Sequence, residues 1–277
     1  MDRYAVFGNP IAHSKSPWIH TRFAEQLGEN VDYKAVLVDV HQFNKAADKF
    51  FFEGGSGINI TVPFKVDAFN YASELTARAQ TAGAVNTLKK TSGGDCVGDN
   101  TDGVGLVRDL VVNLGWQLAG KNILLIGAGG AARGVLQPLM EEGPAMLCIA
   151  NRSEEKARLL AENHGQPEDG KLVASGLKNL ANKFDVVINA TSTSLSGEIP
   201  AIDTELARDA RCYDMMYASE PTPFQAWAKK NGAASTADGL GMLVEQAAEA
   251  YCIWRGRQPD TTDVIAHLRA TLAASAV

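Results

Sequence analysis

The 277-residue sequence predicts an α/β protein made of two lobes. Short apolar runs alternate with helix-compatible segments along the chain, a pattern typical of parallel sheets with right-handed crossovers. A second observation is KNILLIGAGGAAR at Lys121–Arg133, where an apolar strand leads into a glycine turn and a helix. We expect one lobe at 1–102, with a mainly parallel sheet completed by helices from 240–277, and a Rossmann lobe at 103–239.

Short strand-like runs predict the strands of the first lobe, the last two as a hairpin or as separate short strands around Ser92-Gly93-Gly94. They cover Tyr4–Phe7, Tyr33–Val38, Gly57–Val62, Gly83–Leu88 and Asp95–Gly98. Apolar residues at helical spacing predict its helices. These cover Ser16–Gly28, Phe43–Phe52, Val66–Leu75 and Asn100–Leu114. Ser16 followed by Pro17 is a favourable start for the first helix, with the serine as N-cap.

The second lobe follows the same alternation after the glycine turn. Its predicted strands are Ile123–Ile126, Met146–Ala150, Leu172–Ser175, Asp185–Asn189 and Arg211–Met215. Its predicted helices are Ala131–Met140, Glu154–His164 and Pro223–Asn231, followed by the C-terminal helices Leu240–Trp254 and Thr262–Leu272.

Composition limits the class of partner. The net charge of −6 comes without a basic run, which argues against a nucleic-acid binder. Cys96, Cys148, Cys212 and Cys252 lie far apart and form no C-x-x-C, so we expect neither a metal site nor a redox pair. No apolar stretch is long enough to span a bilayer, and the N-terminus does not resemble a signal peptide. We expect a cytoplasmic protein that does not bind membranes.

Gly127, Gly129 and Ala132 fit the dinucleotide fingerprint G-x-G-x-x-G/A. The first glycine permits the sharp turn, and the second lets the backbone approach a pyrophosphate. The alanine allows the helix to pack closely on the strand. Free N–H groups at the helix N-terminus then attract the phosphates.

The residues after the second strand of this lobe indicate which dinucleotide binds. NAD enzymes place an acid there to bind the ribose 2′-hydroxyl, whereas this chain has Asn151, Arg152 and Ser153, with Lys156 nearby. The two cations would attract a 2′-phosphate, so the sequence predicts NADP. A solvated surface pair is the alternative explanation.

Four polar stretches of the first lobe fall at predicted strand ends, where ligand sites of α/β proteins form. They are Ser14–Ser16, Asn59–Lys65, Ala84–Thr87 and Asn100–Gly103. Singly, each has a structural explanation: Asp102 could cap a helix, and Lys65 could be a surface lysine. As a set of hydroxyls, amides, one cation and one carboxylate, they suit a small polyhydroxylated acid.

These motifs make the chain closely similar to the shikimate dehydrogenase family along its whole length. The matching stretches are GNPIAHSKSP, GINITVPFK, GAVNT, GDNTDG, GAGGAAR, NRSEEK, NATS, YDMMY and DGLGMLVEQAA. The resemblance implies NADP-dependent interconversion of shikimate and 3-dehydroshikimate in aromatic amino-acid and chorismate biosynthesis. It implies Lys65 and Asp102 as the catalytic pair, with the lysine as general acid and base.

The resemblance also implies the binding residues. Those for the substrate are Ser14, Ser16, Asn59, Thr61, Asn86, Tyr217 and Gln246. Those for the cofactor are Gly127, Ala128, Gly129, Gly130, Ala131, Asn151, Arg152, Ser153, Lys156, Met215 and Gly239. One departure is Ala77 in ELTAR, where some members carry glutamate, which puts any contact of that glutamate in doubt.

Two alternatives stay open at this point. Some relatives accept quinate or use NAD, and the residue types do not exclude quinate. A non-catalytic sensor of a shikimate-like ligand is a second possibility, but it could dispense with Lys65 or Asp102, and this chain keeps both. The sequence leaves the oligomeric state open between monomer and homodimer.

Overall fold

The computed structural model describes residues 1–164, 170–180 and 183–274. The chain forms two compact units, and both are α/β, as predicted. The first comprises Met1–Gly105 and Val244–Val264, and the second comprises Leu106–Leu243 and the residues from Ile265 onward.

The C-terminal residues differ from the expected division, because residues 240–243 and those from 265 onward group with the second unit. A two-point ion pair between Arg269 and Asp238 holds the last helix there. Residues 275–277, also expected in the first lobe, lie outside the described residues.

The first unit contains a six-stranded mixed sheet. Its elements are β1 Asp2–Gly8, α1 Ser16–Leu27, β2 Val31–Leu37, α2 Phe43–Phe52, β3 Gly55–Ile60, α3 Lys65–Tyr71, β4 Glu74–Leu75, α4 Ala77–Ala82, β5 Thr87–Lys90, β6 Cys96–Asp99 and α5 Asp102–Arg108, whose last residues pass into the second unit. The strand order is β2-β1-β3-β5-β6-β4, and only the pairs made by β5 are antiparallel.

Helices cover both faces of this sheet because β1 buries residues on each side. Ala5 and Phe7 of β1 pack in one cluster with an apolar stripe of α2. That stripe is Phe43, Ala47 and Phe51. Tyr4 and Val6 point the other way and pack in a second cluster with residues of the long C-terminal helix α9, Leu240–Arg255.

The second unit contains a six-stranded, fully parallel sheet. Its elements are β7 Asn122–Ile126, α6 Gly130–Glu141, β8 Met146–Asn151, α7 Glu154–Asn163, β9 Leu172–Gly176, β10 Val186–Asn189, β11 Arg211–Asp214, α8 Pro223–Lys230 and β12 Ser235–Asp238, with parts of α9 and of α10 Thr262–Ala274. The order β12-β11-β10-β7-β8-β9 is that of the doubly wound dinucleotide-binding fold.

The central strand β7 is buried on both faces. Ile123 and Leu125 pack in one core with Val135 of α6, whereas Leu124 and Ile126 pack in another with residues of α8. A strand buried on both faces must be apolar at every position. This is why the sequence predicted β7 from its continuous apolar run.

Four predicted elements of the first unit require correction. Lys15, not Ser16, occupies the N-cap of α1, and Ser16 lies inside the helix. The third helix ends at Tyr71, and a separate helix α4 starts after Thr76, whose hydroxyl accepts a hydrogen bond from the Ala79 N–H. The strand expected at Gly83–Leu88 is displaced to β5. The helix expected at Asn100–Leu114 is regular only to Arg108 and continues as a π-helical turn.

One strand of the second unit was missed. Strand β12 lacks the apolar run that marks its neighbours, because Ser235–Asp238 is only partly buried at the sheet edge.

Candidate active site

Two predicted residues, Lys65 and Asp102, form an ion pair in the first unit. Lys65 is the first residue of α3, and Asp102 is the first residue of α5. The Lys65 Nζ atom donates to Asp102 Oδ2 at 2.5 Å. The lysine side chain is 28% exposed and the aspartate side chain 10% exposed, so the pair is part-buried but not sealed from solvent.

The side chains of this pair bond to each other and to neighbouring side chains. The Asp102 backbone N–H donates to Asn100 Oδ1 at 3.1 Å, which fixes the turn before α5. Both carboxylate oxygens of Asp102 bond to other side chains, and Lys65 is not a freely solvated lysine.

Asn86 is the second side chain that binds the Asp102 carboxylate. Its Nδ2 donates to Asp102 Oδ1 at 2.8 Å, and its Oδ1 accepts from the Thr101 N–H at 2.9 Å. Because the Thr101 N–H can only donate and a carboxylate can only accept, the orientation of the Asn86 amide is fixed. The carboxylate therefore has a defined donor on each oxygen.

Asn59 lies one step farther into the protein and is buried. Its Nδ2 donates to the Asn86 carbonyl at 3.3 Å and to Thr87 Oγ1 at 3.1 Å, and its Oδ1 accepts from the Tyr33 hydroxyl at 2.7 Å. Both amide hydrogens of Asn59 are thus used within the protein. Only a lone pair on Oδ1 is left for a ligand.

Ser14, Ser16, Thr61 and Gln246 also belong to the first unit. Ser14 Oγ accepts a hydrogen bond from the Ser16 N–H at 3.3 Å, which fixes the turn before α1. The Gln246 side chain, on α9, lies with its Oε1 3.4 Å from Asn86 Nδ2, so it joins the group around Asp102.

Close packing of β1 against the end of β3 explains the glycine at position 8. A Cβ atom there would lie 2.5 Å from Thr61 Cγ2 and 2.8 Å from Ile11 Cδ1. The glycine therefore allows Thr61 to follow β3 directly beside the end of β1. Asn9 carries a supporting bond, since its Nδ2 donates to the Val38 carbonyl at 3.0 Å.

Tyr217, the remaining residue implied for the substrate, lies in the second unit. Burial raises the pKa of its hydroxyl above the usual value, and Asp238 acts in the same direction. The hydroxyl is therefore a neutral hydrogen-bonding group near pH 7.

The glycine turn of the second unit has the geometry that the fingerprint predicts. Gly127 has φ = +116°, and a Cβ there would lie 3.3 Å from the Ala190 backbone. Gly129 is the N-cap of α6, and a Cβ at Gly129 or Gly130 would meet no atom within 4 Å. Ala132 is fully buried in the core beside β7. The first residues of α6 therefore leave room for a ligand beside the backbone, at a helix end whose first N–H groups have no partner within the helix.

The residues after β8 leave two cations without acidic partners. Arg152 and Lys156 are exposed, and neither forms an ion pair with any residue that the structure describes. The neighbouring acids are occupied, because Glu155 pairs with Arg158 and Glu154 accepts from Asn179. Asn151 Nδ2 donates to the Ser153 carbonyl at 2.9 Å, which holds this turn in place.

Met215 and Gly239 lie together at the ends of β11 and β12. A Cβ at Gly239 would lie 2.2 Å from the Met215 carbonyl oxygen, so only glycine permits this approach. Next to them, the Asp214 carboxylate accepts bonds from Ser194, Thr222 and Asn189. This carboxylate ties the loops after β10 and β11 together.

No cluster of three or more potential metal ligands occurs within residues 1–164, 170–180 and 183–274. In the same ranges, no helix has both the length and the apolar character needed to cross a membrane.

Three family models match the chain. They describe the shikimate dehydrogenase substrate-binding domain at residues 6–88, shikimate/quinate 5-dehydrogenase at residues 109–204 and the shikimate 5′-dehydrogenase C-terminal domain at residues 239–269. A relative named shikimate dehydrogenase (NADP(+)) from Cellvibrio japonicus is 56% identical over 98% of both chains. The chain belongs to the shikimate dehydrogenase family.

Solved structures agree with this assignment. An Ael1 enzyme from Pseudomonas putida is 44% identical, covers 97% of this chain and 98% of its own, and superposes with a TM-score of 0.93. A shikimate 5-dehydrogenase from Thermus thermophilus, solved with NADP(H) and shikimate, is 31% identical. It covers 98% of this chain and all of its own, with a TM-score of 0.87.

The departure at Ala77 does not disturb the Lys65–Asp102 ion pair in this member of the shikimate dehydrogenase family. Ala77 is exposed at the start of α4, and the adjacent Arg78 makes the important contacts there. Arg78 bonds Asp99 through two nitrogens and also contacts Glu249, so it braces the turn that carries Asp102.

Sequence reasoning missed the residues that support the site. Thr101 fixes the Asn86 amide, Arg78 anchors Asp99, and Asp214 joins two loops of the other unit. Thr101 lies within the polar stretch Asn100–Gly103 that the sequence singled out, but its contact with Asn86 was not predicted. Arg78 and Asp99 are 21 positions apart in the sequence, and no motif links them, so their contact could not be predicted.

Proposed function

We propose that the chain catalyses the reversible NADPH-dependent reduction of 3-dehydroshikimate to shikimate. The observation that carries this proposal is the Lys65–Asp102 pair, part-buried and fixed by Asn86 in a member of the shikimate dehydrogenase family. A ketone reduction needs a proton donor beside the carbonyl oxygen, and the Lys65 ammonium is such a donor.

The residues of the second unit fit the cofactor. Gly129 and Gly130 leave room for a pyrophosphate at the N-terminus of α6, and Arg152 and Lys156 have the charge to bind a 2′-phosphate. We assign Ala128, Ala131, Asn151, Ser153, Met215 and Gly239 to the same site, because they lie in these turns or at the ends of β11 and β12. When bound, NADPH supplies the hydride.

Residues of the first unit donate and accept the proton. As the carbonyl carbon accepts a hydride, Lys65 Nζ donates a proton to the carbonyl oxygen, which becomes the hydroxyl of shikimate. In the reverse direction the neutral amine takes that proton back. The Asp102 carboxylate stabilises the ammonium form, and a remaining lone pair can accept a bond from a ring hydroxyl.

We assign polar groups of the first unit to substrate recognition. Ser14, Ser16 and Thr61 supply hydroxyls, and Asn86 and Gln246 supply amides within hydrogen-bonding distance of each other. The amide hydrogens of Asn59 are already bonded to Asn86 and Thr87, so Asn59 helps to hold Asn86 in place. We also assign Tyr217 to the substrate.

We further propose a cytoplasmic enzyme that acts on a small molecule, as a monomer or homodimer, without a nucleic-acid partner. All four cysteines are free thiols, three of them buried, which suits a reducing compartment. Light scattering coupled to gel filtration measures the assembly state directly.

The absorbance of reduced nicotinamide tests the activity. Shikimate and quinate are each offered with NADP and with NAD. We expect the highest kcat/KM with shikimate and NADP. Absence of turnover with shikimate and either cofactor would overturn the proposed function, and preference for quinate or NAD would correct its substrate or cofactor.

A further inference from the structure

Thr87 holds a position between two amides of the first unit that the catalytic proposal does not use. It begins β5, is 1% exposed and lies directly after Asn86. Its Oγ1 is 3.1 Å from Asn59 Nδ2 and 3.0 Å from Asn86 Oδ1. A threonine hydroxyl has one hydrogen to donate and can accept at the same time.

The direction of both bonds follows from the neighbouring groups. Asn59 Nδ2 also contacts the Asn86 carbonyl, which can only accept, so this atom is the amide nitrogen. A nitrogen with two hydrogens cannot accept from Thr87, so the hydroxyl accepts from Asn59. The single hydroxyl hydrogen is therefore donated to Asn86 Oδ1.

A one-way chain of hydrogen bonds results. The Tyr33 hydroxyl donates to Asn59, Asn59 donates to Thr87, and Thr87 donates to Asn86. Asn86 in turn donates to Asp102 Oδ1, while Lys65 donates to Oδ2 of the same carboxylate. Every donor in this chain points toward the carboxylate.

We propose that Thr87 is a positioning residue, which acts through the Asn86 amide to hold the Asp102 carboxylate in its catalytic orientation. This inference rests on the proposed function. With the hydroxyl in place, Asn86 Oδ1 accepts from Thr87 on one side and from the N–H and hydroxyl of Thr101 on the other, and these bonds oppose rotation of the amide. Rotation would turn the amide oxygen toward the carboxylate and remove one of its two donors.

The variant Thr87→Val removes the hydroxyl and keeps the β-branched shape that a buried strand position favours. Asn59 and Asn86 each keep another partner in this variant, so the fold should be retained. We expect kcat for shikimate oxidation to fall by about 10-fold or more, because misplaced catalytic groups are costly, and KM to change by less than about 3-fold. Thr87→Ser, which keeps the hydroxyl, should recover most of the lost kcat.

Ser73→Ala is a matched control within the same unit. The Ser73 hydroxyl donates to the Cys96 carbonyl and accepts from the Cys96 N–H, at the end of β6 that lies away from Asp99. Its removal costs two hydrogen bonds outside the chain described above. We expect this variant to lose stability and to keep its kcat.

The decisive step is a double-mutant cycle with Asn86→Ala. If Thr87 acts through Asn86, Thr87→Val should reduce kcat in the wild-type background and have no further effect in Asn86→Ala. An equal loss in both backgrounds would overturn the proposal, as would a near-wild-type kcat for Thr87→Val or a serine variant as impaired as valine. If the valine variant gives little folded protein, Thr87→Ala is judged by the same outcomes. Failure of the wild type to oxidise shikimate would instead contradict the proposed function.

Discussion

The two units provide ligand sites of opposite construction. In the first unit, the proposed catalytic and substrate groups already bond one another, from Lys65 through Asp102 to Asn86. In the second unit, the glycine turn faces open space, and Arg152 and Lys156 have no ion-pair partner among the described residues. The first site is therefore ordered by the protein itself, whereas the proposed phosphate site of the second unit consists of backbone groups and unpaired charge.

This difference predicts different consequences for mutations. A change in the bonded network of the first unit should mainly alter kcat, because it disturbs groups that must be aligned during the reaction. A change at the exposed cations of the second unit should alter cofactor affinity and choice.

Lys65→Ala should show the largest effect. Without the ammonium group, no positioned acid protonates the carbonyl oxygen, and kcat should fall by roughly 10²- to 10⁴-fold. The KM for shikimate should change much less. Steady-state assays in both directions measure this loss, and a variant with near-wild-type kcat would exclude the role of Lys65 as general acid and base.

Asp102→Asn should reduce kcat by about 10²-fold, since the neutral amide neither stabilises the ammonium nor keeps two acceptor oxygens beside it. The thermal unfolding temperature should change little, because Asn100 supplies the hydrogen bond to the Asp102 N–H. Activity and unfolding are measured on the same preparation. Full activity with unchanged stability would mean that the carboxylate has no catalytic part.

Arg152→Ala should weaken the use of NADPH by about one to two powers of ten in kcat/KM, the usual value of one hydrogen bond to a charged group. NADH lacks the 2′-phosphate and should be used almost as before. Arg152→Asp should go further and favour NADH. Arg158→Ala, on the helix α7 that follows this turn, is the control, since Arg158 is paired with Glu155 and Glu162. Equal losses with both cofactors would show that Arg152 does not bind the phosphate.

His20 should produce the smallest effect, on stability rather than activity. This imidazole is stacked on Tyr33 with ring centroids 4.2 Å apart, and burial lowers its pKa to about 3. The unfolded chain binds a proton below about pH 6.5, and the folded chain does not, so stability falls as the pH drops from 6.5 toward 3. Between pH 7.5 and 5.5, His20 should account for a loss of about 1.4 kcal/mol.

The variant His20→Phe keeps an aromatic ring and removes the titrating group. Urea unfolding at both pH values should show a smaller loss for this variant, while His13→Phe, at an exposed position, should behave like the wild type. The same pH dependence in His20→Phe and the wild type would show that His20 is not the responsible group.

The sequence predicts the second site better than the first, for a physical reason. The fingerprint is local, because Gly127, Gly129 and Ala132 act through turn geometry and packing within a few residues of each other. The network of the first unit joins residues that are far apart in the chain, such as Lys65 and Asp102. The sequence identified the members of this network as polar residues at strand ends. It could not predict which of them form hydrogen bonds with one another.

Edge elements and helix ends were also predicted less well. The partly buried strand β12 has no apolar run, and α4 begins at a cap provided by Thr76, just after the predicted end of the preceding helix at Leu75. In both cases tertiary contacts decide a structure that local preference leaves undetermined.

The most direct test of the separation between chemistry and cofactor selection is the equilibrium binding of NADPH to Lys65→Ala, followed by nucleotide fluorescence. If the first unit performs the proton transfer and the second unit selects the cofactor, this variant should bind NADPH within about 2-fold of the wild type despite its loss of at least about 10² in kcat. Weakening of NADPH binding as large as that caused by Arg152→Ala would contradict this separation.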